Sequence, residues 1–189
     1  MNFNEFEEIL LSNNIYNILK QKQNELFELI PELKECDGFN QNNKWHIYDV
    51  FEHILHVVME VDNNKCLRLA ALFHDIGKPF TYTEDENLVG HFYNHWNKSM
   101  EIFKKYQDEF NLTNEEKKLI TNLIYYHDLN TKIINQEQLN ELINNLGFDN
   151  INLLFSLKRA DLLAQSQEFH KLIDLIDSEE QRLIKLNKF

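Results

Sequence analysis

The chain is poor in residues that turn or break a backbone. Four glycines and two prolines stand among 189 residues, so few turns are expected, which favours long helices over many short strands. Cysteine is equally scarce. Cys36 and Cys66 lie far apart and belong to no ligand cluster, so they read as free thiols in a reducing compartment rather than a disulfide framework. No apolar run approaches the length of a membrane-spanning helix and mean hydropathy is −0.50, so no transmembrane segment is expected. The opening stretch from Met1 to Leu10 is acidic and lacks a basic segment followed by an apolar one. No secretory leader is read there, and a cytoplasmic protein is expected. Positive charge is short as well: 19 Lys and Arg stand against 31 Asp and Glu, a net charge of −12. Duplex nucleic acid and anionic membranes need a basic face, so neither is expected as a partner. An anionic substrate would need a local source of positive charge.

What is present is ordinary for a folded domain: 43% hydrophobic and 26% charged residues, enough to bury about 70% of the unfolded surface without staples. Asparagine occurs 25 times and alanine 4 times; the asparagines are scattered, which reads as a compositional bias. Helical periodicity runs through most of the chain. Phe3 to Leu11 and Ile15 to Ile30 carry apolar residues at three- and four-residue spacing, and Pro31 ends the second stretch. Residues 36–46 read as a polar loop. Ile47 to Val61 is amphipathic, and Lys65 to Ile76 is the most apolar helix, stopped by Gly77 and Pro79. Residues 79–92 lack a helical period and read as a loop or a short hairpin, with Thr81–Thr83 and Leu88–Val89 as edge strands. Tyr93 to Phe110 is helical. Thr113 and Glu116 form a capping box for a helix to His127, Gln136 to Leu146 is closed by Gly147, Asp149 or Asn150 caps a helix through Ala164, and a last helix covers Glu168 to Asn187. The expectation is one all-α domain, a compact bundle of eight or nine helices.

Six chemistry-bearing residues fall on the apolar sides of these helices. His53 shares a stripe with Val50, Ile54 and Val57; His74 follows Leu67, Ala70 and Ala71, with Asp75 adjacent; His95 lies with Ser99 and Ile102; His127 follows Ile120, Leu123 and Ile124; Asp161 follows Leu154 and Leu157. Singly, such a histidine reads as a hydrogen-bonded core residue. Asp75 alone could cap the Gly77 turn, and Asp161 alone could pair with Lys158 or Arg159. As a set, four buried imidazoles and two buried carboxylates, costly unless met by a cation, share one explanation. A divalent metal satisfies them all at once.

Order and spacing add to this. The chain reads Gln41, then His46-Ile47-Tyr48-Asp49-Val50-Phe51-Glu52-His53, then Leu69-Ala70-Ala71-Leu72-Phe73-His74-Asp75-Ile76-Gly77-Lys78-Pro79. It continues through Gly90-His91-Phe92-Tyr93-Asn94-His95 and Ser99, Tyr125-Tyr126-His127 and Lys158-Arg159-Ala160-Asp161. This pattern resembles the HD superfamily of metal-dependent phosphohydrolases, and within it the HD domain attached to bacterial tRNA nucleotidyltransferases, from about residue 31 to 164. The resemblance implies a single HD domain over 1–189, with N-terminal helices over 1–30, the core over 31–164 and a C-terminal helix over 165–189. It departs from the family in two places. A chain of 189 residues leaves no room for the nucleotidyltransferase part, so nucleotide addition is not expected. The family's Gly-His-Glu is here Asn94-His95-Trp96, which puts the local geometry in question.

Carried over residue by residue, the resemblance implies His53, His74, Asp75 and Asp161 as primary metal ligands. His95 and His127 would hold a second ion, with Asp75 bridging. His46 is expected at the mouth, His56 as a supporting or packing residue, and His91 in the loop beside the site; His170 falls outside the pattern and is expected in solvent. The donor set suits Mn²⁺, Fe²⁺, Ni²⁺, Co²⁺, Mg²⁺ or Zn²⁺, one ion or two. Lys78 reads either as a ligand for a phosphate oxygen or as a solvated turn residue at a helix end. Arg159 points away from Asp161 on helical spacing and reads as structural, while Lys158 and Lys132 are further cations near the site. The expected activity is that of a phosphomonoesterase or phosphodiesterase using metal-activated water, with Asp75 and Lys78 in the catalytic machinery and a small phosphorylated substrate, a nucleotide first among them. A non-catalytic metal- or nucleotide-binding regulatory module and a di-iron oxygenase of the same fold remain open alternatives.

Overall fold

A helix leaves its first N–H groups without partners, and this chain supplies side chains to meet them. In the computed structural model, which describes residues 1–130 and 135–186, Asn2 and Glu5 form a capping box on α1 (Phe3–Leu10). Asp49 accepts from the Glu52 N–H to open α5 (Val50–Glu60), and Asn64 accepts from the Leu67 N–H to open α6 (Lys65–Phe73). Thr113 with Glu116 opens α8 (Asn114–Tyr126), and Asn135 with Gln138 opens α9 (Gln136–Leu146). Asn94 adopts φ +61° just before α7 (His95–Tyr106), a conformation that asparagine tolerates better than most residues. Part of the asparagine excess therefore does local structural work.

The remaining helices are α2 (Ile15–Gln21), α3 (Gln23–Leu29), α4 (Glu32–Cys36), α10 (Ile151–Leu163) and α11 (Ile173–Leu186). Among the described residues there are eleven α-helices and one two-stranded hairpin. The fold is all-α, as expected, but the helix boundaries differ from the sequence reading. The stretch 15–30 breaks at Lys22 into two helices, and a further short helix, α4, follows Pro31. The helix expected from Ile47 begins at Val50 because Asp49 caps it. The C-terminal segment starts as a 3₁₀ turn over Gln167–Leu172, and its α-helix begins at Ile173; Asn187 lies outside the described residues. Strands β1 (Thr83–Glu84) and β2 (Gly90–His91) pair antiparallel with Thr83 opposite His91, about two residues later than the apolar pattern suggested.

One hydrophobic cluster reaches from Phe6 and Leu10 on α1 through α5 and α6 to Leu183 on α11. Helix α6 lies at its centre, with every residue from Cys66 to Phe73 buried, as a helix that is apolar on all sides must be. It packs on α5 on one side and α8 on another, and α10 crosses both α5 and α6. Helix α7 also contacts α6, so four helices (α5, α7, α8 and α10) surround it.

That packing requires Gly77. Its N–H donates to the Ser99 hydroxyl at 2.9 Å, and a Cβ there would lie 2.4 Å from the His95 carbonyl oxygen and 2.7 Å from the Ser99 nitrogen. The first turn of α7 therefore rests directly on the chain leaving α6. Gly77→Ala is expected to destabilise the protein by about 1–3 kcal/mol through overpacking, seen in thermal unfolding as a fall of several degrees; an unchanged melting temperature would contradict the close approach.

Candidate metal centre

Six donors meet at the same buried point: two follow the end of α6, and one each comes from the first turn of α5, the start of α7, the end of α8 and the last turn of α10. His53 comes from α5, His74 and Asp75 follow α6, His95 opens α7, His127 follows α8 and Asp161 lies on α10. His53, His74, Asp75, His95 and His127 are all buried, while the Asp161 side chain keeps 23% exposure and faces a cleft. The six form two overlapping groups with ligand atoms close enough for metal coordination: His53, His74, Asp75 and Asp161 in one, Asp75, His95 and His127 in the other.

Each imidazole is aimed by a backbone carbonyl. His74 Nδ1 donates to Ala71 at 2.7 Å, His95 Nδ1 to Phe92 at 2.9 Å, His127 Nδ1 to Ile124 at 2.7 Å and His53 Nδ1 to Ala164 at 3.4 Å. With Nδ1 donating, the Nε2 of each ring points inward, and its lone pair is available to a metal once that nitrogen carries no proton. His95 and His127 then face each other Nε2 to Nε2 at 3.1 Å, close enough for one protonated ring to donate to the other or for both to share a cation.

Asp75 joins the two groups. Its Oδ2 lies 3.2 Å from His53 Nε2 and 3.2 Å from His74 Nε2. Its Oδ1 lies 3.1 Å from His95 Nε2 and 3.6 Å from His127 Nε2. Asp161 Oδ1 stands 3.0 Å from His53 Nε2 and 3.9 Å from His74 Nε2. These are contact distances, yet His53 Nε2, His74 Nε2 and Asp75 Oδ1 are buried without any hydrogen bond of proper geometry. Buried polar atoms are rarely left so. Donors that converge on one point instead of on each other are what a metal ion needs, and the imidazole–carboxylate set fits a divalent cation.

The charges respond to this crowding. Burial pushes the Asp75 carboxyl up, but His74, Lys78, His127 and His53 outweigh it and hold Asp75 well below the usual carboxylate range. Burial likewise opposes ionisation of Asp161, and His53 and His74 overcome it, so that carboxyl too is held low. Burial pulls the His53 imidazolium down, while Asp161 and Asp75 raise it further, to about 9. His46 goes the other way, to about 2, because it is buried beside Lys78 and His53.

Lys78 is neither solvated nor a simple helix-end partner. It is buried, with Nζ 2.6 Å from Asp75 Oδ2, 2.8 Å from Gln41 Oε1 and 3.3 Å from His46 Nε2. His46 and His91 both line the cleft, His91 facing Asp85 at 3.3 Å. His56 lies outside the cage, stacked on Tyr48 at 4.2 Å. His170 is half-buried, with Nε2 3.3 Å from the Gln165 carbonyl oxygen. Arg159 pairs with Asp177 and Glu180 on α11, while Lys158 donates to the carbonyls of His127 and Leu129; Lys132 lies outside the described residues. The sequence reading passed over three contributors: Gln41, buried and bonded to Lys78; Gln165, which donates to Asp161 at 3.4 Å; and Asp128 on the cleft wall. Only Gln41 left a trace, as the first residue of the His46–His53 pattern. The cleft over the cage is about 340 Å³, at the small end of the range for ligand sites.

The departure at Asn94 has a local explanation. Its φ of +61° is one that glycine adopts freely, and asparagine holds the same turn ahead of His95.

A family model described as HD domain matches residues 45–180. The chain is 34% identical over 108 residues to a multifunctional CCA protein of Shewanella frigidimarina, covering 55% of this chain and 25% of that protein. It is 39% identical over 61 residues to an A-adding tRNA nucleotidyltransferase of Deinococcus radiodurans, covering 30% of this chain and 14% of that protein. The chain thus matches a quarter or less of the length of these relatives.

Because metal must displace the proton that His53 holds up to about 9, affinity is expected to rise with pH through the neutral range and level off above that value. Competition titrations with Mn²⁺ or Zn²⁺ from pH 6 to 9, with elemental analysis of protein purified without chelator, check this; pH-independent affinity or no bound metal would contradict it.

Proposed function

The chain belongs to the HD domain family, and on that premise we propose that it is a metal-dependent phosphohydrolase acting on a small phosphate ester, a nucleotide above all. The observation that carries the reading is Asp75, whose two oxygens face two different sets of imidazoles. His53, His74, Asp75 and Asp161 would hold one divalent ion, and Asp75, His95 and His127 a second. Such an ion supplies Lewis acidity: it acidifies a water toward neutral pH and draws charge from a phosphoryl oxygen.

The protein's own groups set where the reaction occurs. Backbone carbonyls fix the four imidazoles, so little reorganisation remains when substrate arrives. Asp161, the donor most open to the cleft, marks the side from which substrate enters. Lys78 is the only Lys or Arg among the described residues of the cleft wall. Once a cation shares the Asp75 charge, the ammonium of Lys78 is in place to meet a non-bridging phosphate oxygen. The small cleft and the acidic surface support a small ester over a macromolecule. Nucleotide addition, which the names of the relatives describe, is not part of the proposal, since the match covers a quarter or less of their length.

The test compares wild type with Asp75→Asn in the presence of Mn²⁺, on nucleoside monophosphates, 2′,3′-cyclic nucleotides and sugar phosphates. Loss of a ligand shared by both sets should lower kcat/KM by more than about 100-fold, since outer partners of metal ligands alone typically cost 10–100-fold. Equal rates would overturn the mechanism, and metal binding without turnover of any ester would favour a regulatory module. Lys78→Ala should lower kcat/KM by at least about tenfold while leaving bound metal in place, the size of effect expected for one charged contact to phosphate.

A further inference from the structure

The metal cleft has a neighbour that the proposed chemistry does not use. Trp96 directly follows His95, and Tyr125 stands two residues before His127. The residues that bring these two imidazoles together therefore also bring two aromatic rings beside them. Both line a second hollow of about 190 Å³, with Tyr126 and Leu129 on its walls. Trp96 and Asp128 line this hollow and the metal cleft alike, so the two share a wall. Tyr125 is 41% exposed and Trp96 half-buried, so both rings keep open surface, Trp96 at the junction and Tyr125 within the hollow. Trp96 occupies the position where the family pattern has a carboxylate.

We infer that this hollow is the subsite for the organic end of the substrate, and that it takes a nucleobase bearing an exocyclic amino group. The inference rests on the phosphohydrolase reading for which end of the ligand lies where. The shape and lining call for a flat aromatic group, since bases stack on tryptophan and tyrosine. Charge sets the orientation. The Asp128 carboxylate on the shared wall repels a phosphate and accepts a hydrogen bond from an amino group, while Lys78 stands on the metal side of the cleft. Lys158 donates to the carbonyls of His127 and Leu129 on either side of Asp128, which holds that segment in place. A phosphate over the cage and an amino-bearing base between Trp96 and Tyr125 thus satisfy both ends of one small nucleotide.

Trp45 and Trp96 are the only tryptophans. Trp45 stacks on Phe169 at 3.7 Å, so Trp45→Phe keeps an aromatic contact and leaves Trp96 as the reporter. Titration of that variant with AMP should give saturable fluorescence quenching, UMP a weaker response and ribose 5-phosphate none. Trp96→Leu should raise KM for AMP hydrolysis about tenfold and leave KM for ribose 5-phosphate nearly unchanged. Absence of quenching by AMP, or an equal KM change for both esters, would overturn the subsite; equal quenching by AMP and UMP would overturn its amino preference. Quenching without hydrolysis of any ester would remove the hydrolase reading and keep the subsite. Hydrolysis indifferent to the base, without quenching, would do the reverse.

Discussion

A carboxylate taken fully out of water must be met by positive charge or by donors, or it loses its proton-free form. Asp75 is buried to 1% exposure and is nevertheless held ionised. Four imidazoles and the Lys78 ammonium surround it. They come from α5, α7, α8 and the end of α6, so the charge balance of one side chain demands that these helices meet at one place. The tight approach at Gly77, the left-handed turn at Asn94 and the buried apolar length of α6 all serve that meeting.

The cage also separates two tasks usually assigned to the same residues. The backbone orients the imidazoles, through carbonyls at or near helix ends: Ala71 near the end of α6, Ile124 near the end of α8 and Phe92 ahead of α7. The side chains are then free to present Nε2 inward. Two imidazole nitrogens brought to 3.1 Å between His95 and His127 are unfavourable unless a proton or a cation lies between them. The fold tolerates them because the surrounding core determines where α7 and α8 lie. Such a site is preorganised for a cation.

The net charge of −12 takes on a different meaning beside this geometry. Acidic side chains such as Glu5, Glu8, Glu84 and Glu86 are exposed to solvent. At the cleft the balance is local, set by Lys78 and by whatever cation the six donors hold. On the proposed reading, that local balance is what would meet one phosphate on a chain of net negative charge. The aromatic pair beside the second group of donors would then discriminate among small esters by their organic part.

Much of this was legible along the chain. Helical periodicity, the capping pairs at Thr113–Glu116 and the Gly147 stop follow from local backbone chemistry, and the all-α class follows with them. The six donors could be picked out because burying a histidine or aspartate leaves it on an apolar stripe, and stripes have a period. Other features had no local signature. The break at Lys22, the 3₁₀ start of the last segment and the two-residue shift of the hairpin depend on packing partners distant in sequence. So do the bond from His53 to the Ala164 carbonyl, 111 residues away, and the burial of Lys78 against Gln41. The residue types and their spacing by themselves determined which groups could bind a metal and on which helix faces they sit. Tertiary structure alone decided that Asp75 turns one oxygen to each set of imidazoles and that Trp96 and Tyr125 border one hollow, because both depend on how separate helices cross.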